Sequence, residues 1–131
     1  SVSENKKLNG AKREKEILFW AIHLKESNKH IGNIKIDPVD MNIRSGEYGI
    51  MLGDKDEWKK GYAREASLRI IEYCFKELKL SQITLGVIED NTSAVDLYRR
   101  MGFEFSSLIK DFGIYQGKTC NSIRMVKRND Q

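Results

Sequence analysis

Apolar residues change their spacing several times along the chain, and each change predicts a different element. Residues 16–24 are almost continuously apolar and rich in Ile, Phe and Trp, which is typical of a strand buried on both faces. A polar turn follows, and residues 30–37 predict a second strand that forms a hairpin with the first and stops at Pro38. In residues 46–52 apolar and polar side chains alternate, which predicts a third strand.

Helical spacing begins at Ala63. Four apolar residues then repeat at intervals of three and four: Leu68, Ile71, Phe75 and Leu78. After another β-rich run at residues 82–88, Asn91 offers an N-cap to a short helix, and Gly102 is expected to end that helix in the C′ position. The apolar face of this second helix has four members: Ala94, Leu97, Tyr98 and Met101.

The last part of the chain predicts two more strands, around residues 103–108 and 120–126, joined by a turn at residues 115–118. The predicted order is therefore β, β, β, α, β, α, β, β. This order favours one domain, residues 1–131, of the α/β (mixed α+β) class, in which helices pack on a mixed sheet.

The composition is that of an ordinary globular domain, with 40% hydrophobic and 32% charged residues in 131. The longest apolar run, residues 17–22, is far shorter than the roughly 20 residues that a membrane span needs. Cys74 and Cys120 are too few for a disulfide framework, and neither they nor His23 and His30 show metal-ligand spacing. We therefore expect a cytoplasmic protein with reduced thiols, no membrane span and no metal site.

The charge balance is mildly basic, with 23 Lys and Arg against 19 Asp and Glu, a net charge of +4. Such an excess suits an anionic cofactor, an anionic substrate or nucleic acid. The basic residues are scattered, and no basic stripe with interleaved aromatic residues appears. Nucleic acid is therefore the less favoured partner.

The junction at residues 52–66 joins a strand, a loop and the start of the long helix. Free backbone N–H groups at a helix N-terminus, together with the helix dipole, form a site for an anion. Lys59, Lys60 and Arg64 would add positive charge beside it, and Gly61 would allow a tight turn. The alternative interpretation is an ordinary strand–loop–helix turn with a basic surface cluster, because one glycine is a weak signal.

The string W-K-K-G-Y-A-R-E-A at residues 58–66 resembles the cofactor loop of the GNAT (acyl-CoA N-acyltransferase) superfamily, whose pattern is Q/R-x-x-G-x-G/A. Gly61 and Ala63 match, and Trp58 stands where the family usually has Gln or Arg, as is familiar in its RimJ/RimL-like branch. Residues 91–103 resemble the second family motif, N-x-x-A-x-x-L-Y-x-x-x-G-F. The resemblance extends from about residue 16 to about residue 125, nearly the whole chain.

This resemblance implies a GNAT-type fold with a mostly antiparallel sheet and direct transfer of an acetyl group from acetyl-CoA to a primary amine. The amine stays open between a protein N-terminus, a polyamine, an amino sugar and another small amine. The strand at 47–52 would part from the strand at 82–88, so that backbone groups at 50–52 hold pantetheine and polarise the thioester carbonyl. The backbone N–H groups of residues 59–63 would hold the pyrophosphate. The implied cofactor-binding residues are Ile50, Met51, Leu52, Trp58, Lys59, Lys60, Gly61, Tyr62, Ala63, Arg64, Asn91, Ala94 and Tyr98.

Two residues receive catalytic roles from the resemblance. Tyr98 occupies the position of a general acid for the departing thiolate, although its spacing alone favours a core aromatic. Glu47 is a candidate base, directly or through water, and its alternative role is that of a solvent-facing strand residue. Asn91 would contact pantetheine as well as capping its helix. Covalent transfer through Cys120 is not predicted, because no base stands near it in the sequence.

The chain departs from the family's pattern at its start. Members of this branch usually carry another strand and one or two helices before the first hairpin, and these help to wall the acceptor site. Only residues 1–15 precede the hairpin here, so we expect the N-terminal strand and helices to be short or missing, as in a fragment. A partner in a homodimer is another source of that wall. The competing functions are a non-catalytic acyl-CoA sensor and, less favoured, a basic nucleic-acid-binding domain.

Overall fold

The computed structural model describes residues 2–9, 15–53 and 58–130. Within these ranges, seven strands form a single mixed sheet and two α-helices pack on it. The strands are β1 Val2–Asn9, β2 Lys15–Leu24, β3 His30–Asp40, β4 Ser45–Leu52, β5 Gln82–Ile88, β6 Glu104–Tyr115 and β7 Lys118–Arg128; the helices are α1 Ala63–Lys76 and α2 Thr92–Arg100. The order across the sheet is β1-β2-β3-β4-β5-β7-β6. No helix of the described ranges combines the length and apolar character needed to cross a membrane.

The sheet is antiparallel except at its centre, which confirms the predicted mixed, mostly antiparallel architecture. β1 to β4 form a meander, and β5 pairs with β7 and β7 with β6 in the antiparallel sense. The connection through α1 brings β5 beside β4 in the parallel sense, as a helical crossover does.

The core lies between the sheet and α1. Trp20 of β2 meets Tyr73 of α1 edge to face, with 6.1 Å between ring centroids. Tyr48 of β4 reaches Ser67 of α1. Alternate residues of the central strands therefore face this helix, and the side chains with the least exposure include Leu18, Ile22, Ile34, Ile36, Ile70, Ile71, Ile83 and Leu85.

The structure corrects the expectation that the N-terminal strand is short or missing. β1 pairs with β2 over eight residues, from Val2 opposite Leu24 to Asn9 opposite Ile17. Val2 is completely buried; its N–H donates to Glu65 Oε2 at 2.8 Å, and Arg69 donates to its carbonyl at 2.8 Å. The sequence did not predict this strand because VSENKKLN lacks apolar alternation. An edge strand can form without such alternation.

Two predicted boundaries also change. β3 continues through Pro38 to Asp40, because pairing with β4 shifts between Ile36 and Val39 and the proline sits in that irregularity. A residue without an N–H is tolerated there since no ladder bond is required of it. β6 and β7 extend to the predicted turn, in which Gln116 and Gly117 both have positive φ, the conformation of a tight hairpin turn.

The helices form where they were predicted, but their buried faces differ from the prediction. In α2, Val95 and Tyr98 are buried, whereas Ala94 and Leu97 are only partly buried. α1 buries a face centred on Ser67, Ile70 and Cys74, whereas Leu68 and Leu78 are only partly buried. The N-cap at Asn91 is confirmed, and Gly102 follows α2 with φ +95°, the left-handed conformation expected at C′.

Candidate active site

The most distinctive feature of the sheet is a split between β4 and β5. The two strands pair only at their first residues, ending with Glu47 opposite Thr84. Beyond this point β4 still pairs with β3 as far as Leu52, and β5 still pairs with β7 as far as Ile88. The facing edges of the two strands are therefore not paired with each other, which confirms the predicted splay. Backbone groups along an unpaired strand edge can bind an extended ligand.

A tight turn, Trp58–Tyr62, leads from the β4 side of this split into α1. Gly61 has φ +87°, a conformation that side chains disfavour, although nothing lies within 4 Å of the position a Cβ would take. The Tyr62 side chain does not cap α1, so the first N–H groups of that helix are not satisfied from this position. Lys60 and Arg64 are exposed beside the turn.

Three side chains of the predicted cofactor set lie outside the described residues, and one described side chain points to solvent. The side chains of Leu52, Trp58 and Lys59 lie outside the described residues. Ile50 is partly buried against the core, whereas Met51 is 66% exposed, as alternation along β4 requires. The Met51 side chain therefore points away from the face on which Ile50 packs.

Helix α2 places Tyr98 directly at the split. Its N-terminus is fixed by the Asn91 side chain, which accepts a hydrogen bond from the Ala94 N–H at 3.3 Å. One turn later the Tyr98 ring contacts Tyr48 edge to face at 5.8 Å and Phe103 at 6.2 Å. Tyr48 is the first residue of β4 beyond the last pair with β5. Helix α2, capped by Asn91, therefore brings Tyr98 to the start of the open edge of β4.

Both tyrosines at the split keep their protons at neutral pH. Burial raises the pKa of Tyr98. Burial also raises the pKa of Tyr48, strengthened by the neighbouring Tyr98 and opposed by the 2.8 Å hydrogen bond with the Ser67 hydroxyl. Each is thus a neutral phenol that can donate a hydrogen bond.

Glu47 lies at the last β4–β5 pair, in an ion pair that sequence analysis missed. Arg124 of β7 donates to both carboxylate oxygens, at 2.8 and 2.6 Å, and the Thr84 hydroxyl donates at 2.5 Å. Partial burial alone would raise the pKa of Glu47, but these hydrogen bonds and the guanidinium charge outweigh it and hold the pKa below its usual value. The carboxylate is therefore ionised, with two donors at Oε1 and one at Oε2.

A cavity of about 260 Å³ occupies the split next to this ion pair. Its lining consists of Glu47, Tyr48, Gly86, Val87, Ile88, Ile109, Phe112, Ser122 and Arg124. Tyr48 belongs both to this lining and to the aromatic contact with Tyr98. Tyr48 thus contacts both the cavity and the Tyr98 ring of α2.

The histidines and cysteines do not form a site among the described residues. The His23 and His30 rings lie 5.1 Å apart, and no group of three His, Cys, Asp or Glu side chains in the described ranges could hold a metal ion. Cys74 and Cys120 are buried, and neither forms a disulfide.

Comparison with known proteins gives the same architecture. Residues 3–104 match the family model described as "Acetyltransferase (GNAT) domain". The chain is 29% identical over 111 residues to an N-acetyltransferase of Bacillus licheniformis, which covers 85% of this chain and 62% of that protein. It is 34% identical over 85 residues to the spermidine N(1)-acetyltransferase of Vibrio cholerae, covering 64% of this chain and 49% of that protein.

A third relative is the L-amino acid N-acetyltransferase AaaT of Escherichia coli, 28% identical over 100 residues, which covers 74% of this chain and 60% of that protein. Among solved structures, the spermidine/spermine N-acetyltransferase SpeG of Vibrio cholerae, determined with manganese ions, superposes with a TM-score of 0.78 at 25% identity. That match covers 86% of this chain and 65% of the SpeG chain. The chain spans about half to three fifths of the length of these curated relatives.

Proposed function

The chain belongs to the GNAT acetyltransferase family, and from that premise we propose that it transfers an acetyl group from acetyl-CoA to a primary amine by direct attack. One observation carries the proposal. β4 and β5 part after Glu47 and Thr84, and Tyr98 packs on Tyr48 at the point where they part. A thioester laid along the open edge of β4 would have its sulfur near a buried phenol on one side and a cavity on the other.

In this proposal, backbone groups form most of the hydrogen bonds to acetyl-CoA. Groups of residues 50–52 on the open edge of β4 hydrogen-bond pantetheine and polarise the thioester carbonyl. The turn at Lys60–Ala63 and the uncapped N-terminus of α1 hold the pyrophosphate, with Lys60 and Arg64 adding charge. Asn91 and Ala94 line the opposite side of the split from α2. Support comes from the unpaired edge and from the positive φ of Gly61.

The chemistry proceeds by attack of a neutral amine on the thioester carbonyl, which forms a C–N bond and a tetrahedral intermediate. Collapse breaks the C–S bond, and the electron pair leaves on sulfur as a thiolate. Tyr98 donates its phenolic proton to that sulfur, and water returns a proton to the phenolate while Glu47 releases the amine's proton to water, which completes the cycle. Because burial raises the pKa of Tyr98, the phenol keeps its proton until negative charge develops on the thiolate.

Glu47 is the proposed acceptor of the proton that the amine loses. Arg124 and Thr84 already donate to both of its oxygens, so an intervening water is the more suitable carrier than direct contact with the amine. The lowered pKa makes Glu47 a weak base, and its contribution to the rate is accordingly smaller than that of Tyr98.

Release of coenzyme A thiol on mixing the protein with acetyl-CoA and a panel of primary amines tests this function. We expect amine-dependent release and a raised melting temperature with acetyl-CoA, since a ligand bound only by the folded state stabilises it. A thermal shift without release for any amine would favour the acyl-CoA sensor. The absence of both, for a folded protein, would contradict the proposal.

We also propose that the protein acts in the cytoplasm as a homodimer formed along β6. Outside the cavity lining, this edge strand exposes three apolar side chains: Phe105, Leu108 and Ile114. Contact between two copies related by a twofold axis would bury these side chains. Exposed apolar patches favour association.

A charge placed on this apolar surface tests the dimer. Ile114 lies outside the cavity lining, and Ile114→Glu should shift the protein toward monomer in sedimentation experiments. Ile43→Glu, in the exposed β3–β4 turn, is the control and should leave the dimer intact. A parent protein that sediments as a monomer at every concentration would contradict this assembly.

A further inference from the structure

The cavity in the β4–β5 split has a chemistry that constrains the amine it can accept. The inference that follows rests on the proposed acetyl transfer. Its lining contains one acidic side chain, Glu47, and one basic side chain, Arg124, which bind each other through two hydrogen bonds. Among the lining residues that the structure describes, the net charge is therefore zero.

No carboxylate of this lining remains available for a second cation. Glu47, the one carboxylate among the described lining residues, already forms an ion pair with Arg124 and accepts a hydrogen bond from Thr84. A charged ammonium moved from water into such a place loses hydration without gaining an ionic partner, which disfavours its binding. The guanidinium of Arg124 would repel it further.

Apart from the ion pair and the buried Ser122, the cavity wall is mostly apolar and includes an exposed aromatic ring. Val87 is buried, Ile109 is 42% exposed and Phe112 is 58% exposed. Phe112 reaches the cavity because pairing of β6 with β7 skips from Ile109–Ser122 to Gly113–Cys120. Exposed apolar surface beside a cavity becomes buried when an apolar ligand binds.

Hydrogen bonds of the Asn121 side chain fix this irregularity of β6, which lies between Ile109 and Gly113. Asp111 adopts φ +50°, and its N–H donates to the Asn121 side chain at 3.1 Å. The same side chain donates to Glu89, and the Asn121 carbonyl accepts from the Glu89 N–H at 2.9 Å. Phe112 is therefore presented from an anchored bulge, a common device for aiming a side chain.

We propose that the acceptor is a primary amine with an apolar alkyl or aromatic substituent and without a second positive charge. The reactive amine approaches the split while its substituent packs on Phe112 and Ile109. Polyamines fit poorly because the lining offers their other ammonium groups no free carboxylate.

Hexylamine and 1,6-diaminohexane form a matched pair of probes, since both have six carbons and differ only in the second ammonium group. With acetyl-CoA present, kcat/KM from thiol release should be at least about tenfold higher for hexylamine. The hydrated second ammonium of the diamine keeps about two terminal carbons out of the cavity, and each buried methylene contributes roughly fourfold. Equal or greater kcat/KM for the diamine overturns the inference while leaving acetyl transfer intact. Thiol release with other amines but with neither probe also overturns it. Loss of both thiol release and the acetyl-CoA thermal shift instead contradicts the proposed function.

Phe112→Asp sharpens the test by placing a free carboxylate where the ring stands. This variant should lower kcat/KM for hexylamine about tenfold and raise that for the diamine, so that the preference reverses. Ile43→Asp is the control, because Ile43 is also exposed and apolar but lies in the β3–β4 turn outside the cavity lining. An unchanged preference in a folded Phe112→Asp protein, checked by its melting temperature, contradicts the role of Phe112.

Discussion

The two sides of the β4–β5 split are built in different ways. On the side of the helices, the site consists of short local motifs: the Gly61 turn entering α1, the Asn91 cap and Tyr98 about two turns after it. On the opposite side it consists of long-range pairs, such as Glu47 with Arg124, which are 77 residues apart. The first side suits a ligand held by backbone and helix termini, and the second sets a neutral, apolar cavity. A cofactor site can thus be encoded locally while an acceptor site depends on the assembled sheet.

The largest effect is expected on the helix side of the split, from removal of the Tyr98 hydroxyl. Tyr98→Phe keeps the ring contacts with Tyr48 and Phe103, so stability should change little. Turnover should fall by about 10²-fold, the lower part of the range for a positioned proton donor, because a thiolate is a tolerable leaving group. Steady-state kinetics with a good amine measure kcat, and calorimetry should show nearly unchanged acetyl-CoA affinity.

Tyr73→Phe is the matched control for this experiment, because Tyr73 packs on Trp20 away from the split. Its turnover should stay at the parent level. Full turnover in Tyr98→Phe would make Tyr98 a packing residue and leave the proton to water or substrate.

The next largest effect is expected at the turn before α1. Gly61→Val forces a β-branched residue into φ +87°, so the turn must change and acetyl-CoA affinity should fall about tenfold. Gly117→Val supplies the control, since Gly117 also has a positive φ and open space around it but lies in the β6–β7 turn. Calorimetric titration with acetyl-CoA should separate them; equal affinities would contradict the role of the Gly61 turn.

A smaller effect is expected on the acceptor side of the split, where the free energy of unfolding should change. Arg124→Met removes both guanidinium hydrogen bonds from a partly buried carboxylate and should lower the free energy of unfolding by about 2 kcal/mol at neutral pH. Lys76→Met breaks only the exposed Glu72–Lys76 pair and should change it little. Thermal denaturation of the three proteins measures the difference.

The same ion pair makes a prediction about pH. Because the folded-state pKa of Glu47 is lowered, its stabilisation is present above the unfolded value of about 4.3 and is lost as pH falls through the folded value. Melting temperatures recorded from about pH 7 to pH 3 should therefore converge between parent and Arg124→Met at the acidic end. A gap that stays constant over this range would show that Glu47 is not the source of the difference.

Sequence patterns predicted the elements that depend on neighbouring residues. The Asn91 cap, the left-handed Gly102 and the Gln116–Gly117 turn are decided by side-chain and backbone chemistry within a few residues. The split between β4 and β5 was predicted from the family resemblance and not from periodicity. β1 was missed because an edge strand can be polar along its length.

Residues close together in the chain were enough to predict the order of the main elements, the caps and turns between them, and the inward position of Tyr98 on its helix. They did not predict that Arg124 binds Glu47 or that Phe112 lines the cavity. The pairing of β5 with β7 sets the first contact, and the bulge of β6 sets the second. Both depend on strand register between segments far apart in the chain, which local propensity and periodicity do not specify.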